Sequence, residues 1–155
     1  MNFKISALSP EPFNALFSLS DTQLKHRNIL KQTVTEAFST PCRVSLEDAN
    51  IGDTVLLLNY QHINEQTPFQ AAHAIYIRKG VKQAHPAVNE VPEMIHSRIV
   101  SLRSFDSQHM MIAADLATAE QVTSKILTLF SNPSASYLHL HYAKQGCYIA
   151  KVNRC

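Results

Sequence analysis

Glycine is scarce in this chain: Gly52, Gly80 and Gly146 are the only three among 155 residues. A phosphate loop or a dinucleotide fingerprint needs several glycines within a few positions, so both are excluded. Cysteine is equally scarce and odd in number. Cys42, Cys147 and Cys155 lack close metal-ligand spacing, so reduced thiols are expected rather than a disulfide framework. Charged residues make up 17%, with 14 Lys and Arg against 12 Asp and Glu and no basic run. That balance gives no reason to expect a nucleic-acid or membrane partner. No apolar run approaches the about 18 residues of a membrane helix. The opening MNFKISALSPEPF has no apolar signal core, so a cytoplasmic location is expected. No G-x-S-x-G elbow, H-E-x-x-H helix or paired C-x-x-C is present.

What is present is an ordinary apolar content of 45% and eight histidines. The length suits a single domain, residues 1–155, able to bury roughly 68–70% of its unfolded surface. The clearest element is a helix over about residues 119–131. Thr118 and Gln121 have capping-box spacing, Val122, Ile126, Leu129 and Phe130 share one face, and Asn132-Pro133 stops it. A short helix is expected after Ser9, with Pro10 in its first turn and Phe13, Leu16 and Phe17 as its apolar stripe. A further turn is expected after Ser20-Asp21. Strand-like stretches run over 54–60, 74–78, 99–105, 110–114, 136–142 and 148–152, with edge strands at 4–8 and 29–34. Hairpins dominate. The expected fold class is therefore α+β, with a mostly antiparallel sheet of about five to seven strands, one main helix and one or two short N-terminal helices.

The stretch YLHLHYAKQGC, Tyr137 to Cys147, focuses the functional question. On a strand, residues two apart share a face. Tyr137, His139 and His141 line one side, and Leu138, Leu140 and Tyr142 the other. Turn parity then decides their neighbours. An even turn sets Tyr148, Ala150 and Val152 beside the histidines and Cys147 on the leucine side. An odd, bulged turn sets Cys147 beside His141.

Three chemistries fit such a face. H-x-H on a strand can share a metal ion, with further ligands sought among Asp115, His62, His96 and His109. A reactive cysteine needs a cationic neighbour, which Cys147 has only in the odd register. An anion pocket can gather Arg43, Arg98, Arg103, Lys151 and the histidine pair. The bland reading is that these are surface or hydrogen-bonded structural residues, and it is strongest for His26, His73, His85 and His109 taken singly.

PCRVSLEDANIGDTVLLLNYQH and HLHYAKQGCYIAKVNR resemble the two signature regions of the bacterial family called domain of unknown function 1203. The resemblance rests on Pro41-Cys42-Arg43, Leu46, Asp48-Ala49, Tyr60, His62, His139, His141 and Gly146-Cys147. It implies a bacterial, soluble, one-domain protein and carries no established activity. Tyr142 stands where the family leads one to expect Asn, and His73 where a small residue is expected.

The expected function is binding or conversion of a small molecule, with a small anionic ligand as the candidate partner. The cleft lies around the H-x-H strand: His139, His141 and His62 are the catalytic candidates and Arg43, Tyr137 and Cys147 the ligand-binding ones. One histidine, with an ordinary pKa of roughly 6.5, is the natural general base. No residue is assigned to metal, and a divalent ion is the one candidate cofactor. The rival is a non-enzymatic interaction or structural module. A concave setting with convergent polar groups favours the first, and a flat exposed face the second.

Overall fold

The computed structural model describes residues 1–155. In chain order the strands are β1 (Phe3–Ser6), β2 (Leu30–Thr33), β3 (Thr54–Ile63), β4 (Ala71–Arg78), β5 (Val100–Phe105), β6 (Met111–Ala117), β7 (Tyr137–Tyr142) and β8 (Tyr148–Arg154). The helices are short: α1 (Glu11–Asn14), α2 (Asp21–Lys25), α3 (Glu93–His96) and α4 (Val122–Phe130). Every named strand pair is antiparallel, as the run of hairpins implies. The α+β class stands, but the strands divide between a five-stranded sheet, β1-β8-β7-β5-β6, and a three-stranded sheet, β2-β3-β4.

The main helix is α4, preceded by a 3-10 turn at Ala119–Gln121. The Thr118 amide donates to Gln121 Oε1 at 3.2 Å, which fixes the entry. Val122, Ile126 and Phe130 repeat every four residues and are buried, so α4 lays one stripe on the larger sheet. They join Leu138, Leu140, Leu102 and Val152 in the largest apolar cluster. The leucine face of β7 is thus the core face.

The smaller sheet has its own core. Leu56 and Leu58 of β3, with Ile75 and Ile77 of β4, pack under Phe13 and Leu24 of the N-terminal helices and under Cys42 and Val44. Ser20 accepts from the Gln23 amide and Gln23 answers from its side chain, so α2 opens on a full capping box. The lower end of this sheet lies outside that cover. Tyr60 marks the margin, packing beside Phe13, and together with His62 and His73 it meets the face of β7 and β8 that points away from α4. Every histidine of the site lies in that seam between the two sheets.

Candidate functional site

Pleating aims Tyr137, His139 and His141 into the seam, and the opposite sheet supplies the rest through a bulge. Gln61 pairs with Ala72 and Ile63 with Ala71, so His62 is the extra residue between them. A bulge re-aims side chains. Here it turns His62 and Ile63 alike toward the larger sheet. His62 stacks on Tyr148, centroids 4.9 Å apart and 10° from parallel. Ile63 packs with Phe105 and Tyr137. His73, opposite Tyr60, comes in from β4.

The four imidazoles make a continuous cluster. His62 Nδ1 lies 3.2 Å from His139 Nδ1, and His62 Nε2 lies 2.7 Å from His73 Nδ1. One ring nitrogen from each of His62, His73 and His141 falls within 4.8 Å of the other two. His141 is oriented from behind. Its Nδ1 sits 2.9 Å from the Gly146 carbonyl, which can only accept, so Nδ1 carries the proton and Nε2 is a bare lone pair. That Nε2 is buried and has no hydrogen-bond partner.

The cluster is uncharged at neutral pH. Burial is the largest cause in each case, pulling His139 down to about 2, His141 to about 3 and His62 to about 4. The neighbouring Arg103, which pairs with His139 across β5 and β7, pushes the same way. Neutral imidazoles are the form that binds metal or accepts a proton.

A cleft of about 220 Å³ opens beside His62 and His139, and Tyr137, Tyr148, Lys151 and Glu65 complete its wall. Lys151 Nζ rides 4.3 Å over the Tyr137 ring. The Tyr137 hydroxyl is 2.9 Å from His109 Nδ1, whose Nε2 lies 3.6 Å from Glu65. Burial, reinforced by Glu65 and Asp106, pushes Tyr137 up to about 12, so the phenol keeps its proton.

The hairpin follows neither turn parity considered from the sequence throughout its length. The loop Ala143–Gly146 is even and sets Tyr148 against His141, but a register shift beyond His141 then places Lys151 opposite His139 and Asn153 opposite Tyr137. Lys151 and Asn153 therefore occupy the positions that an undisturbed even register gives to Ala150 and Val152. Cys147 is taken away from the histidines, onto the side of Tyr142 and the main core. Arg43 leaves the histidine cleft too. The carbonyls of Tyr148 and Pro41 hold its guanidinium near the Tyr142 ring, on the leucine side of β7. Of the distant metal-ligand candidates only His62 arrives. Asp115 pairs with Lys125 at 2.6 Å, His96 lies in α3, and His109 serves Tyr137. His73 is the residue that sequence reasoning passed over, although its alternation with Ile75 and Ile77 already put it on an inward face.

A family model for proteins described as protein of unknown function (DUF1203) matches residues 39–154. The chain belongs to this family. The match takes in β3 to β8 and all four clustered histidines of this DUF1203 protein. No curated protein and no solved structure matches the chain.

Proposed function

We propose that this protein binds a divalent transition-metal ion of the zinc type on His62, His73 and His141, and acts on a small molecule admitted to the adjoining cleft. One observation carries the reading: the His141 Nε2 lone pair, sealed from water, lacks a partner while its Nδ1–H is anchored to a carbonyl. A buried polar atom without a partner is costly. A histidine oriented through its far nitrogen is the usual outer-shell arrangement behind a metal ligand. His139 stands in the same relation to His62.

Nitrogens sharing a tetrahedral zinc ion sit about 3.3 Å apart, from bonds of about 2.05 Å. The present spacings lie around that value: His62 and His73 are 2.7 Å apart, and all three nitrogens fall within 4.8 Å of one another. Three protein ligands leave a coordination position open, as in catalytic sites, where the ion activates water or polarises a carbonyl. The cleft's concave wall, with Tyr137, Lys151 and His139 converging, supports small-molecule chemistry over a flat interaction module. We take the protein to be bacterial and cytoplasmic, a setting that its three free thiols support.

A second reading rests on the hydrogen-bonded row His139–His62–His73. Without metal, that row passes protons and one imidazole serves as general base. Elemental analysis of protein purified without a polyhistidine tag, beside His73→Ala and His141→Ala, separates the two. Stoichiometric zinc, or a cobalt(II) visible spectrum that both substitutions abolish, is expected. Protein that stays metal-free after incubation with zinc and cobalt salts would overturn the metal reading.

A further inference from the structure

Arg43 is the bulkiest side chain in the fully buried set, with 2% of its surface exposed, and it belongs to none of the chain's ion pairs. Its Nε donates to the Tyr148 carbonyl at 2.7 Å and its Nη1 to the Pro41 carbonyl. Both acceptors are neutral, and Nη2 makes no hydrogen bond. A buried cation whose only hydrogen-bond acceptors are neutral carbonyls is an expensive arrangement unless an anion visits it. Burial already holds this guanidinium below its ordinary value.

Arg43 lines a cavity of about 440 Å³ beyond the edge of β4, where the segment carrying Phe38 and Pro41 meets the tip of the β7–β8 hairpin. Tyr142 lines it too, its ring between two guanidinium groups, each 5.2 Å from the ring centroid. The second is Arg98, whose charge is already answered by Asp48 at 2.6 and 3.0 Å. The Tyr142 hydroxyl is buried and has no partner. The cavity therefore holds one positive charge without an anionic partner, one guanidinium nitrogen that makes no protein hydrogen bond and one buried hydroxyl without a partner.

We propose that this cavity binds a small organic monocarboxylate. Its carboxylate sits between Arg43 Nη2 and the Tyr142 hydroxyl, and its apolar body rests on Leu57, Tyr76 and Phe38. One spare guanidinium nitrogen and one hydroxyl match two carboxylate oxygens, whereas a phosphate dianion brings more charge and more oxygens than the cavity answers. Phe38 supports an apolar body at the mouth. It is 76% exposed and keeps a φ of 57°, while its carbonyl accepts from Arg98 Nη2 at 2.5 Å. An aromatic ring held open to water in that way gains from being covered.

Isothermal titration of the untagged protein with benzoate, benzamide and inorganic phosphate tests this site apart from the histidine cluster. Benzoate is expected to bind saturably and at least about tenfold more tightly than its neutral isostere benzamide, because only benzoate answers the charge. Arg43→Met should remove that preference. Should Arg43→Met fail to fold, Tyr142→Phe decides, since it deletes only the hydroxyl and should weaken benzoate severalfold. Treatment with a chelator should leave benzoate binding unchanged. Equal binding of benzamide, binding of phosphate alone, wild-type affinity in Tyr142→Phe, or loss of benzoate binding after chelator treatment would each overturn the assignment.

Discussion

An imidazole whose Nδ1–H is bound to a backbone carbonyl has only its Nε2 lone pair to offer a ligand, and at His141 that lone pair is shut away from water. In the metal-free protein the residue is therefore a liability more than a support. Deleting an unsatisfied buried acceptor costs little, because no bond is lost on that side. His141→Leu is expected to keep the metal-free stability within about 1.5 kcal/mol of the parent, the loss coming from the freed Gly146 carbonyl. The same change should eliminate metal uptake. Urea unfolding of chelator-treated protein, paired with metal content, checks both halves. A large loss of stability in the metal-free state would show that His141 has a partner the present contacts do not include.

At the level of the element, the loop that closes β7 and β8 matters most. Gly146 adopts a φ of 76°, and a Cβ placed there meets nothing within 4 Å. Its substitution thus tests backbone conformation alone. Gly146→Ala should destabilise by about 1–2 kcal/mol through left-handed strain, and should weaken metal binding because the Gly146 carbonyl orients His141. Thermal melts with and without zinc read the two effects separately. Strand pleating made the His139/His141 face legible in the sequence, and the strand end at Tyr60-Gln61-His62 pointed to His62. The rest depended on register. Two bulges, one at His62 and one between the partners of Leu140 and His141, decide that Ile63 and Lys151 join the seam, whereas His73 lies on the regular part of the β3–β4 ladder, opposite Tyr60. A one-residue shift carries no composition signal, so neither bulge was readable. Arg43 was legible as a candidate, but not its address. That was set by long-range bonds to Tyr148 and a bridge between Cys42 and Tyr76.

For the whole molecule, buried phenols set the alkaline limit. Burial first, then nearby carboxylates, pushes Tyr137 up to about 12, and burial does the same for Tyr142 against the opposing pull of Arg43 and Arg98. In the unfolded chain both would ionise near 10. A proton held more tightly when folded gives stability that is complete below pH 10 and drains away as pH rises toward 12. Unfolding is therefore expected to become easier across that window, with tyrosinate absorbance appearing together with loss of secondary structure. The chain has no tryptophan to mask the signal. Tyrosinate forming near pH 10 in protein that is still folded would contradict the burial of these hydroxyls.

The donors His62 and His73 belong to the three-stranded sheet, and His141 to the five-stranded one. An ion seated among them would act as a clasp, cross-linking chain segments far apart in sequence and removing loop freedom from the unfolded ensemble, much as a covalent tie does. Cofactor loading and mechanical unity would then be one event, and the two sheets could no longer drift apart without first releasing the ion.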